Sequence, residues 1–197
     1  MNARDLLEMS YTTRQAAFDV LHGLRIEETV RKMDGTMHIV GSLKTDLMMW
    51  NRDIDIHVYS GDDMLSWSFA LMAAITRNGA IKEFCFLNLL DTPEECIEWH
   101  ITCVTAGNVT WKLDLIHIRK GSRYDGYIEE VTDRIAARLD PRTREAILSI
   151  KYDLGTQSEV KGVEIYNAVL EHGIHNCPDF VQWRKKNPVS GILEWMP

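Results

Sequence analysis

Between Asp53 and Tyr59 the chain alternates without a break, with Ile54, Ile56 and Val58 on one side and Asp53, Asp55 and His57 on the other. Successive side chains of a β-strand point to opposite faces, so this stretch predicts a strand with one apolar and one polar face. Such a strand needs partners, and the chain supplies them. Met37 to Val40, Ile81 to Leu89, Cys96 to Thr105 and Val109 to Ile118 also read as strands, with Asp34-Gly35 as a turn and Ala106-Gly107-Asn108 as a hairpin loop.

The remaining periodicity is helical. Arg4 to Met33 repeats apolar residues at helix spacing, with a break expected at Gly23. Ser42 is expected to cap a short helix running to Met49, and Asp63 to Arg77 forms a helix closed by Asn78-Gly79. After Gly121 the character changes: Tyr127 to Leu139, Pro141 to Leu154, Ser158 to His172 and a short segment from Pro178 to Asn187 are all helical by pattern. The predicted class is therefore α/β (α+β), a mixed sheet with flanking helices followed by a helical subdomain. The expected division is 1–120 for the first part and 121–197 for the second.

Composition narrows the function classes. The chain has 22 basic and 29 acidic side chains, a net charge of -7, which argues against an extended nucleic-acid track. The apolar share of 45% is that of a globular domain, and no run is long enough to span a bilayer. The start Met1-Asn2-Ala3-Arg4-Asp5 lacks the apolar core of a signal peptide. Four cysteines without a Cys-x-x-Cys pair read as reduced thiols, so a cytoplasmic location is expected.

The residues that point to chemistry are Gly41-Ser42, Asp53, Asp55 and Asp114. Ten residues, 43–52, separate Ser42 from Asp53, which suits a glycine turn, a short helix and a return to a neighbouring strand. A glycine turn lets backbone approach a phosphate, and a helix start offers free N–H groups. Asp53 and Asp55 lie two apart on one strand and aim at the same side, where a divalent cation would relieve their repulsion. Asp114 interrupts the apolar pattern of Trp111-Lys112-Leu113-Asp114-Leu115-Ile116; on a neighbouring strand it would bring a third carboxylate to the same place. Three carboxylates beside a phosphate cradle fit two-metal phosphoryl or nucleotidyl transfer.

Val40-Gly41-Ser42, ten residues, then Asp53-Ile54-Asp55-Ile56 resembles the signature of the nucleotidyltransferase superfamily with the polymerase β-like fold. The strand carrying Asp114 is similar to the one that supplies that superfamily's third acid, and the resemblance covers Met37 to Ile118. Two departures stand out. Leu43-Lys44-Thr45-Asp46 replaces the Arg-Gly common in small members, and Arg52 replaces the Ser often found before the first acid. The resemblance implies that Asp53, Asp55 and Asp114 hold two Mg²⁺ ions and are catalytic. Asp114 would accept the proton of an attacking hydroxyl, while Gly41 and Ser42 bind the triphosphate of an NTP, with ATP as the default donor. It implies transfer of a nucleoside monophosphate with release of pyrophosphate. The chain's length and acidity favour a small-molecule acceptor, as in antibiotic-modifying members, or a protein acceptor, with no extended nucleic acid and no membrane. The competing expectation is a non-catalytic relative that senses a nucleotide or binds a partner.

Several other residues have both a functional and a plain reading. Lys44 falls in the first turn after Gly41-Ser42 and is a candidate phosphate ligand or plain surface. Lys151, bordering the stripe of Ile147, Ile150 and Leu154, is a candidate triphosphate ligand or a core-edge lysine. His57 shares a face with both aspartates and either touches substrate or is a partly exposed strand histidine. Lys112 shares its face with Asp114 and balances its charge. Cys96, His100 and Cys103 suggest zinc, but Cys103 takes the opposite strand face and no fourth ligand follows, so a zinc site is rejected. The apolar tail Ile192 to Met196 is expected to pack on the body or in a homodimer.

Overall fold

The computed structural model describes residues 2–156, 159–189 and 195–197. In chain order the elements are α1 (Ala3–Leu24), α2 (Ile26–Lys32), β1 (Thr36–Ile39), α3 (Gly41–Lys44), β2 (Asp53–Tyr59), α4 (Met64–Ile75), a 3₁₀ turn (Thr76–Asn78), β3 (Ile81–Leu89), β4 (Cys96–Val104) and β5 (Thr110–Ile118). Four helices follow: α5 (Tyr127–Arg138), α6 (Pro141–Leu154), α7 (Gly162–His172) and α8 (Cys177–Lys186). All described strands thus end by Ile118, and the regular elements after Gly121 are helices, an α/β fold of the expected class.

The chain forms two compact units whose boundaries do not follow sequence order. One holds Gln15–Val40 and Arg52–Glu129; the other holds Met1–Arg14, Gly41–Asn51 and Glu130–Pro197. The first contains the five-stranded sheet, in the order β1-β2-β5-β4-β3. β2 and β5 are parallel, and the other three pairs are antiparallel. Its apolar face is built by parity: Ile54, Ile56 and Val58 of β2, Leu113 and Leu115 of β5, and Trp99 and Ile101 of β4 are all buried. α4 covers this face, with Phe69 5.0 Å from the Trp99 ring, Trp67 4.9 Å from His117, and the Trp99 indole N–H donating to Ser68 Oγ at 2.7 Å. Asp63 caps α4 by accepting from the Ser66 N–H. In the second unit α6, α7 and α8 pack on one another around Ile147, Leu148, Ile150, Ile165, Val169 and Phe180. α6 starts on a capping box between Asp140 and Thr143 with Pro141 in its first turn.

Two local expectations are corrected. The N-terminal helix breaks at Arg25 rather than Gly23: Arg25 takes the left-handed conformation (φ 55) and its guanidinium bonds Glu28, restarting the helix at Ile26. The helix after Gly41 lasts a single turn instead of reaching Met49, because Asp46 is left-handed (φ 59), and the carbonyls of Thr45, Asp46 and Leu47 accept from Arg144 and Lys151. The helix expected from Ser158 is seen from Gly162, its expected start lying outside the described residues. Most of the apolar tail, residues 192–194, also lies outside them.

Candidate active site

The three acids lie on two neighbouring strands of the sheet unit. The parallel register sets Asp53 beside Lys112, Asp55 beside Asp114 and His57 beside Ile116. With period-two alternation, Asp53, Asp55 and Asp114 therefore share the face opposite the α4-covered one. β4 extends the row, since His100 pairs with Asp114. Cross-strand neighbours then run Asp55, Asp114, His100 over three adjacent strands. At the end of β1 the Val40 N–H donates to the Asp55 carbonyl at 3.1 Å, and Gly41 is the next residue in the chain.

Electrostatics along this face are shared among neighbours. His100 Nδ1 stands 2.7 Å from Asp114 Oδ1, and its Nε2 stands 3.2 Å from Glu98 Oε2. The bond to Asp114 raises the His100 pKa against the opposing effect of burial, and the two carboxylate charges add to the rise. Further along β2 the polar face closes over. His57 is buried, with Nδ1 3.0 Å from Glu129 Oε1, and the Tyr59 hydroxyl donates to the same oxygen at 2.7 Å. This corrects the expectation of a His57 that touches substrate or is a partly exposed strand histidine, because the first turn of α5 lays Glu129 over it. Burial works to raise the Glu129 pKa, but the bonds from His57 and Tyr59 outweigh it and hold the carboxyl below its ordinary value. Burial also pushes the Tyr59 phenol upward, opposed by the Gly126 N–H and helped by Glu129.

Gly41, Ser42, Lys44 and Lys151 belong to the other compact unit. Gly41 has φ 63, a left-handed conformation that favours glycine, and its N–H donates to Thr132 Oγ1 at 3.4 Å. Its carbonyl accepts from the Thr45 N–H and hydroxyl, and the Ser42 carbonyl accepts from the Leu47 N–H at 2.9 Å. Lys44 lies 3.5 Å from Asp133 in a half-exposed pair. Lys151 donates to the Leu47 carbonyl at 2.7 Å and to the Tyr166 hydroxyl at 2.8 Å. Arg144, seven residues and so about two turns earlier on α6, donates to the carbonyls of Thr45 and Asp46 at 3.1 and 2.7 Å. Ser10 donates to the Asp46 carbonyl, Arg14 pairs with the Asp46 carboxylate, and the Trp50 indole donates to the Tyr152 carbonyl.

Sequence reasoning missed Arg144, Glu129, Tyr59 and the engagement of His100. Strand parity carried a signal for His100 and Tyr59, since each falls on the polar side of its strand. Nothing local marks Arg144 or Glu129, whose partners lie far away in the chain.

Carboxylate oxygens are the hard ligands magnesium prefers, and the three acids stand on one face of two paired strands. No three His, Cys, Asp or Glu side chains among the described residues form a ready cage. Magnesium at a phosphate site is held by one or two carboxylates together with the substrate's phosphates, so it requires no such cage. The donors present fit the ion in chemistry and in strand placement.

No family model matches the chain, and no curated protein matches it. Solved structures do. A cytoplasmic RNA terminal U-transferase matches with a TM-score of 0.53 at 15% identity, over 77% of this chain and 46% of that one. The GLD-2–GLD-3 poly(A) polymerase complex gives 0.58 at 10%, over 96% of this chain and 61% of that one. The Cid1 poly(U) polymerase with bound MgGTP gives 0.50 at 17%, over 74% of this chain and 42% of that one. This chain therefore spans less than two thirds of each of them, and the likeness is one of fold.

Proposed function

We propose, from the premise that this chain has the polymerase β-like nucleotidyltransferase fold, that it transfers a nucleoside monophosphate from an NTP to a hydroxyl acceptor and releases pyrophosphate. The single observation that carries the reading is the parallel register of β2 and β5, which pairs Asp55 with Asp114 and keeps Asp53 on their face. Three carboxylates on one face of two paired strands gather the hard oxygen ligands that a divalent cation takes. Their placement makes sense if cations are to be held there.

In this reading Asp53 and Asp55 hold two magnesium ions and Asp114 completes the set. Bound magnesium supplies charge neutralisation for the phosphates and Lewis-acid polarisation of the reacting phosphoryl group. Asp114 accepts the proton of the attacking hydroxyl, within hydrogen-bond reach in a productive pose. Gly41, left-handed and lacking a Cβ, and Ser42, with its hydroxyl, bind the triphosphate, assisted by Lys44 and Lys151. Lys151 also secures the segment that follows, through the Leu47 carbonyl. The donor is taken as ATP. The acceptor is taken as a small molecule or a protein, given the net charge of -7. The reading assigns the acids to 1–120 and acceptor recognition to the helices of 121–197.

Thermal unfolding with each of the four NTPs, with and without Mg²⁺, tests the reading. A nucleotide at a hundred times its dissociation constant stabilises the fold by about 2.7 kcal/mol. One NTP with Mg²⁺ should raise the midpoint of the wild type, and Asp53→Asn/Asp55→Asn should lose that response. A double variant that responds like the wild type overturns the assignment. Pyrophosphate release with hydroxyl-bearing small molecules, protein or RNA ends then identifies the acceptor.

A further inference from the structure

We infer that His100 is a positioning residue for the acid cluster, holding Asp114 by one carboxylate oxygen so that the other is presented to the magnesium ion. The inference rests on the transferase reading of Asp53, Asp55 and Asp114. His100, Asp114 and Asp55 are consecutive register partners across β4, β5 and β2, so they form one row on one face. His100 Nδ1 meets Asp114 Oδ1 at 2.7 Å, and Glu98 Oε2 braces the ring from its other nitrogen at 3.2 Å. Among the described residues His100 is the side chain that bonds Asp114, and Oδ1 is the oxygen it uses.

The side chains of His100 and Asp114 are 42% and 43% exposed. Exposed charged pairs add little to folding stability, so a two-sided clamp there is poorly explained as a structural device. A half-exposed carboxylate otherwise samples several rotamers, and fixing one beforehand removes that ordering cost from cation binding. Histidine is suited to the task because its two ring nitrogens point apart, letting one group be gripped while another steadies the ring.

The test uses the full chain and Mn²⁺ as the probe, titrated by electron paramagnetic resonance, alone and with the NTP that most stabilises the wild type. The variants are His100→Phe, His100→Asn and Glu98→Gln, with Asp53→Asn as the reference for site loss. Loss of an outer-shell partner costs about tenfold or more in metal affinity, which is the effect expected for His100→Phe. Its unliganded melting midpoint should move by less than about 2 °C. Asparagine places an N–H close to where Nδ1–H stands, so His100→Asn should recover most of the affinity, and Glu98→Gln, one step further from the ion, should weaken binding less than His100→Phe does.

His100→Phe binding Mn²⁺ as tightly as the wild type, or more tightly, overturns the inference; tighter binding would mean that His100 holds Asp114 away from the ion. Failure of His100→Asn to recover affinity overturns it as well. Should His100→Phe not fold, Glu98→Gln decides, and unchanged affinity there is fatal. A wild type that binds no Mn²⁺, or an Asp53→Asn variant that binds it normally, defeats the transferase reading instead, and the positioning role with it.

Discussion

Strand β2 and the segment Gly41–Asn51 carry the two halves of the recognised motif, and they are held in place by opposite means. β2 is specified by its own pattern: alternate residues fix its faces, Ile54, Ile56 and Val58 are fully buried, and the register with β5 follows from matching apolar faces. Gly41–Asn51 has one helical turn and is secured from outside. Arg144 and Lys151 take the carbonyls of Thr45, Asp46 and Leu47, Ser10 and Arg14 bind Asp46, and Trp50 bonds Tyr152. A stretch that obeys a periodicity explains itself, whereas a stretch held by side chains from distant helices does not. The difference is functional too. In the proposed reading, carboxylates that are to share an ion need fixed spacing, which a ladder supplies, whereas the segment proposed to meet a triphosphate lies outside any ladder.

Ile56→Ala removes a fully buried side chain from β2 and should cost about 2–5 kcal/mol, because the packed face cannot collapse around the void. Urea unfolding reads this as a lower midpoint with an unchanged slope. A cost below 1 kcal/mol would mean that the alternation of β2 is not what holds it.

A sharper probe of the same strand pair uses His117, the register partner of Val58 and a fully buried histidine on the apolar face. Burial, with the nearby Lys120 charge, lowers its pKa to about 4, while Nε2 stands 3.0 Å from Ser60 Oγ. The unfolded chain then binds a proton that the folded chain does not, between the ordinary histidine pKa and about 4. Stability should therefore be full above the ordinary value and fall as pH drops through this window, by up to about 3 kcal/mol. His117→Gln should flatten that slope when unfolding is followed from pH 7 to pH 4. An unchanged slope would place the titration elsewhere.

The clamped segment is tested by Arg144→Met, which keeps the aliphatic stem and removes two charge-assisted bonds to backbone carbonyls. The expected cost is about 1.5–3 kcal/mol. Combined with Lys151→Met the loss should be less than additive, since both lysine and arginine hold neighbouring carbonyls of one segment. Full additivity in a double-mutant cycle would show that the segment is not a single held unit.

How much was legible beforehand follows the same line. The span of β2, the strands β3 to β5, the helices α6 and α8 and the common face of Asp53, Asp55 and Asp114 were all readable, because each depends on a local period or cap. The register that makes Asp55 and Asp114 neighbours was only an expectation, as strand order is a property of pairing. His57 was misread because the cover that buries it, Glu129, arrives from an element 72 residues away. The single turn after Gly41 was misread because Asp46 turns left-handed where Arg144, 98 residues on, takes its carbonyl.

By itself the sequence determined the element types, the alternation that sorts side chains between two faces, and the identity of the three acids, since these are fixed by periods of 2.0 and 3.6 residues and by side-chain chemistry. Tertiary structure alone decided which strands adjoin, where the chain divides into compact units, and which partners Asp114, His57 and the carbonyls of Thr45 to Leu47 receive. Those outcomes depend on groups meeting across long chain separations, and no local pattern records a meeting that only packing brings about.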